Sequence, residues 1–156
     1  MSTLFVDTIN EKTSGNGVDI PGHVLQVKSD TSTTQTNTTS TSFSDTQLSV
    51  SITPTSASSK ILVMMFCSLR ADQVTGAAGH VRVLRDSTDI GGQNYMGWNN
   101  ASHYGQDTCH VEILDSPATT SAITYKVQVR GQNSSESINF GHDSSLQGIT
   151  VMEIGA

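Results

Sequence analysis

The chain has 156 residues, enough for one domain with a single core and too few for a second independent one. Only 14% of the residues are charged, against about 25% in ordinary globular proteins; Ser, Thr, Asn, Gln and Gly supply the missing polarity, a mixture that favours strands and turns over helices. A net charge of −6 with few, scattered basic residues argues against nucleic acid as a partner, and no apolar stretch approaches the ~20 residues of a membrane-spanning helix.

Residues 1–23 differ from the rest. Leu4, Val6 and Ile9 are isolated apolar positions, and Ser14-Gly15-Asn16-Gly17 and Pro21-Gly22 mark turns. Such an arm buries no core by itself, so it is expected to be disordered or held against other chains, with residues 24–156 as the folded domain. The start has neither the basic region nor the apolar run of a secretory signal, and the expectation is a chain made in the cytoplasm without one.

Val24 to Lys28 reads as a strand. Ser29 to Ser42 is Ser/Thr-rich without apolar periodicity and reads as an exposed loop or linker, with a β-prone edge strand as the alternative. Gln47 to Thr53 alternates, with Leu48, Val50 and Ile52 on one face, before Pro54 ends the run. Lys60 to Arg70 is apolar at almost every position, from Ile61 to Leu69. A strand of that kind needs cover on both faces, and in so small a domain a second subunit is the readiest cover.

Five more strand signals complete the set. His80 to Arg85 carries Val81 and Val83, Asp107 to Leu114 carries Cys109, Val111 and Ile113, and Ser121 to Arg130 carries Ile123, Tyr125, Val127 and Val129. Ser137 to Phe140 and Gly148 to Ile154 follow, the latter apolar on both sides. Closely spaced strands without alternating helices predict an all-β fold: an antiparallel jelly-roll-like sandwich with a short extended N-terminal arm, with an immunoglobulin-like sandwich as the alternative.

Between Ile90 and Asp107 the sequence concentrates its single Trp and two of three Tyr among Asn, Gln and Gly. Tyr95, Trp98, Asn99, Asn100, His103 and Tyr104 are the candidate receptor-binding residues, because aromatic faces stack on sugar rings and amides bond hydroxyls. Packing at the end of the sandwich is the competing role for Trp98 and Tyr95. Five histidines raise the question of a metal, but no metal-ligand spacing occurs, so no metal and no cofactor are expected. Cys67 and Cys109 form no disulfide framework and are expected to be buried free thiols. No nucleophile elbow or phosphate-cradling loop is present, so a non-catalytic chain is expected.

The opening Leu4-Phe5-Val6-Asp7-Thr8-Ile9-Asn10-Glu11-Lys12-Thr13, continuing to Pro21-Gly22, resembles a segment recurring in tail-fibre and fibre-like virion proteins of marine and cyanobacterial tailed phages. Leu48-Ser49-Val50-Ser51-Ile52-Thr53-Pro54, Ser59-Lys60-Ile61-Leu62-Val63, Arg85-Asp86-Ser87-Thr88, Pro117-Ala118-Thr119-Thr120 and Val151-Met152-Glu153-Ile154-Gly155 are similar to the β-rich domain that follows there. The resemblance spans nearly the whole chain in order. It implies a homotrimeric fibre or fibre tip, assembled in the bacterial host and carried on the virion, which displays a host-recognition surface.

The same resemblance implies virion attachment through Leu4, Phe5, Val6 and Ile9, with other virion proteins as partners; the aromatic and amide residues between Ile90 and Asp107 make a host surface glycan the expected receptor. Leu62, Met64, Phe66, Met152 and Ile154 are the candidate trimer interface. Few residues precede the recurring segment, which leaves docking to the first two dozen residues or a partner protein. A head fibre or capsid decoration protein is therefore an alternative, and a free carbohydrate-binding, lectin-like module is another.

Overall fold

The computed structural model describes residues 22–71, 77–96, 105–134 and 137–156, together with Thr8 and Asn10; residues 92–96 are described by their backbone alone. Its strands are β1 (Val24–Ser32), β2 (Thr36–Thr38), β3 (Ser44–Ile52), β4 (Lys60–Ala71), β5 (Gly79–Arg85), β6 (Thr88–Met96), β7 (Gly105–Asp115), β8 (Ile123–Gly131), β9 (Ile138–Phe140) and β10 (Gln147–Ile154).

Two antiparallel sheets face each other. In sheet I, β10 lies between β1 and β4, β9 lies between β2 and β4, and β7 pairs the other side of β4; sheet II runs β3-β8-β5-β6. Because β9 and β10 share one side of β4, β1 with β2 and β9 with β10 are two interrupted strands. Counted so, eight strand lines place the first, eighth, third and sixth in sheet I, and the second, seventh, fourth and fifth in sheet II. That order is a jelly roll, and it decides against the immunoglobulin-like alternative.

Period-2 alternation builds the core. β4 turns Ile61, Val63, Met65, Cys67 and Leu69 inward, where they meet Leu48, Val50 and Ile52 of β3 and Tyr125, Val127 and Val129 of β8. The interruptions of the two strands lie side by side, filled by the fully buried Gln147, whose amide donates to the Thr34 carbonyl at 2.6 Å. Gly141 borders the same break with φ +72, a conformation that suits glycine.

One expectation needs correction. Ser29 to Ser42 is not a free linker but follows the edge-strand alternative: β1 continues to Ser32, in register with Gln147, and β2 pairs β9. β6 runs to Met96 and β7 begins at Gly105, so strand occupies both ends of the Ile90 to Asp107 segment. β1, β2 and β6 are edge strands, with one neighbour instead of two. Their backbone ladders hold them without the apolar alternation seen in β3 and β7, which also have one neighbour each.

Candidate interaction surfaces

The outward residues of sheet I form an apolar face. Register aligns Val27 of β1, Met152 of β10, Leu62 of β4 and Leu114 of β7 in one row across four strands. Val27 is 52% and Leu114 59% exposed, whereas Leu62 and Met152 between them are half-buried. Beside this row, Met64 lies between Thr150 and Glu112, and Phe66 between Gly148 and His110. The Phe66 and His110 rings stack with centroids 6.4 Å apart. An open groove of about 390 Å³ is lined by Met64, Phe66, His110, Glu112 and Thr150.

All five residues expected at a subunit contact, Leu62, Met64, Phe66, Met152 and Ile154, therefore share one face. The sequence reading missed Val27 and Leu114, which lengthen the row at both ends. For Leu114 a signal existed: Cys109, Val111 and Ile113 turn toward the core, so an apolar residue at 114 breaks the polar parity of that strand's outer side.

Sheet II presents a different outer surface. Lys126 pairs with Asp45 at 2.9 Å, Gln128 donates to the same carboxylate at 2.6 Å, and Arg82 reaches both Gln128 and Asp89. The Gln128 and Lys126 bonds hold the Asp45 carboxyl below its ordinary value. Phe43 is capped by two guanidinium groups, Arg82 at 4.1 Å and Arg130 at 5.1 Å from the ring centroid. These charges are paired and solvated, which suits a face turned to water.

The two ends of the sandwich also differ. Gly22 and His23 bond Gly155 through two backbone hydrogen bonds of 2.8 Å, so Gly22 lies beside the C-terminal residues. Met96 pairs with Gly79, and Gly105 with Ala71, at the opposite end. Met96 and Gly105, which flank residues 97–104, are thus remote from Gly22. Tyr95 lies on β6 opposite His80. Its side chain, and all of Trp98, Asn99, Asn100, His103 and Tyr104, lie outside the described residues, as do Leu4, Phe5, Val6 and Ile9.

Two buried polar clusters hold the arm end. Asp115 of β7 accepts both bonds of Arg85 at 2.7 Å and a third from the Tyr125 hydroxyl, also at 2.7 Å. Glu153 is fully buried, accepting from Gln26 at 2.6 Å and from the backbone and hydroxyl of Thr55 at 2.7 and 2.8 Å. Burial works to raise its pKa, yet these bonds outweigh it and hold the carboxyl below its ordinary value. Ser59, buried nearby, adds to that pull without a hydrogen bond of good geometry. Each carboxylate accepts three hydrogen bonds from side chains or backbone of its own fold.

No protein-family model matches the sequence, and no curated protein matches it. Among solved structures, the chain is similar to the infectious bursal disease virus VP2 subviral particle, with a TM-score of 0.42 and 11% identity over 85% of this chain and 39% of that one. It is also similar to the structure of the Gx strain of that virus, with a TM-score of 0.44 and 12% identity over 96% of this chain and 42% of the other. The chain spans about two fifths of the length of those chains. At such scores the likeness carries no functional inference to this chain.

Proposed function

We propose that this chain is a structural protein of a virus particle that works by self-association: three copies pack the outer faces of sheet I together and turn sheet II outward. The observation that carries this reading is the asymmetry of the two outer faces. One bears the Val27, Met152, Leu62, Leu114 row with Met64 and Phe66 beside it, the other a network of paired charges. Burying a large apolar side chain contributes roughly 1.5–3 kcal/mol. Second and third copies of the chain supply an identical apolar face, as a closed symmetric assembly requires. The number three comes from the sequence resemblance to homotrimeric phage fibres.

In this arrangement Leu4, Phe5, Val6 and Ile9 attach to other virion proteins. Residues 97–104, with Trp98, Asn99, Asn100, His103 and Tyr104, contact a host surface glycan; Met96 and Gly105, which flank them, lie remote from Gly22, where the continuously described chain begins. No single site needs to bind tightly, because three-fold display multiplies weak contacts into avidity. Catalysis has no part in it.

Competition tests the display role. The purified assembly should block adsorption of the parent particle to its host, and Trp98→Ala should compete less well while keeping its mass. Equal competition by the variant would contradict the assignment of that connection. Immunogold labelling of particles separates a tail-fibre tip from a head fibre or capsid decoration, and glycan binding by an isolated monomer would favour the lectin-like module instead.

A further inference from the structure

We propose that Cys67 and Cys109 are an oxidation site, closing into a cross-strand disulfide that fastens β4 to β7 when the folded chain meets a peroxide. The two are direct partners in a ladder that runs from Ile61 to Ala71 without a break in register. Opposed Cα atoms in an antiparallel ladder lie ~4.5 or ~5.5 Å apart, depending on the pair type. Both separations fall within the ~4.4–6.8 Å Cα spacing that a disulfide accepts, so the register is compatible with a bridge.

Neither cysteine is in a disulfide and both face the core, with Cys67 fully buried and Cys109 3% exposed. Their side chains leave the same face of the ladder at directly opposed positions. The neighbouring Cys109 thiol first, and burial second, push the Cys67 thiol up. The pair is therefore protonated at neutral pH, and its oxidation is slow.

Burial also selects the oxidant, because a reagent close to water in size reaches the pair more readily than a bulky disulfide. One sulfur, deprotonated, attacks a peroxide oxygen; the S–O bond forms, the O–O bond breaks and hydroxide leaves. The second sulfur then attacks the first, forming S–S and breaking S–O, and the oxygen departs as water. Two thiols and one hydrogen peroxide give one disulfide and two waters.

The bridge would enclose all of β5 and β6, strands of the opposite sheet, within one covalent loop. A loop of that length restricts the unfolded chain far more than the folded one. The oxidised domain should therefore resist denaturant better than the reduced domain.

The test incubates the full-length folded protein with hydrogen peroxide, quenches with catalase, then alkylates in denaturant with iodoacetamide. Both thiols should be lost together, a Cys67–Cys109 peptide pair should appear in the non-reduced digest, and dithiothreitol should restore both thiols. The urea midpoint should rise on oxidation and fall back on reduction, and Cys109→Ser should show no such reversible rise. Retention of both thiols, sulfinic acid in place of the bridge, bridging between chains, or the same reversible rise in Cys109→Ser would overturn the proposal.

Discussion

Tyr125 donates its hydroxyl to Asp115 at 2.7 Å, joining β8 of one sheet to β7 of the other. Arg85 of β5 grips the same carboxylate, so one residue of sheet I holds two of sheet II. Tyr125→Phe should cost about 1 kcal/mol, the net worth of one hydrogen bond. Asp115→Ala should cost about 2–4 kcal/mol, because it strands a buried hydroxyl and a largely buried guanidinium. Urea denaturation of the two variants should place them in that order.

The same contact predicts an alkaline limb. Burial, then the bond to Asp115, push the Tyr125 phenol above the usual tyrosine range. The unfolded phenol loses its proton near pH 10 while the folded one keeps it, so stability should fall as pH rises beyond that point. In Tyr125→Phe the alkaline decline should be shallower, which thermal melts at pH 9 to 11 would read.

Glu153 predicts the acid limb. Its folded pKa lies below the ordinary 4.5, so its contribution is complete above that value and is lost as pH falls through the lower folded one. Glu153→Gln should flatten this limb. At neutral pH it should also destabilise by about 1–3 kcal/mol, because an amide nitrogen would face the donors of Gln26 and Thr55.

Gly141 marks the break between β9 and β10. Gly141→Ala would place a Cβ against the buried Gln147 amide at a φ of +72, which L side chains rarely adopt. A loss of about 1–3 kcal/mol is expected from overpacking and backbone strain together, read from the urea midpoint.

Strands that turn apolar residues into the core were legible in the sequence because burial writes a period of two into them. Leu48, Val50 and Ile52 announce β3 although it is an edge strand, and the unbroken run from Ile61 to Leu69 announces a strand with neighbours on both sides. β6 and the second half of β1 were not legible: β6 contains Gly91-Gly92-Gln93-Asn94, and β1 ends in Ser29-Asp30-Thr31-Ser32, sequences shared by loops. Their strand character comes from partners distant in the chain. The apolar face was half legible for the same reason. Leu62 and Met152 could be assigned from local pattern, whereas Val27 and Leu114 join them only once the cross-strand register is known.

Charge on the apolar face should break assembly without unfolding the domain, since Leu62 points away from the core. Leu62→Asp should release monomers with unchanged far-ultraviolet circular dichroism. Lys126→Glu, on the outer face of sheet II, should leave the assembly intact.

Sedimentation equilibrium of the unmodified chain at micromolar concentration tests self-association most directly. The account predicts a single species with the mass of three 16.6 kDa chains. A species of one chain's mass, unchanged on raising the concentration, would contradict it.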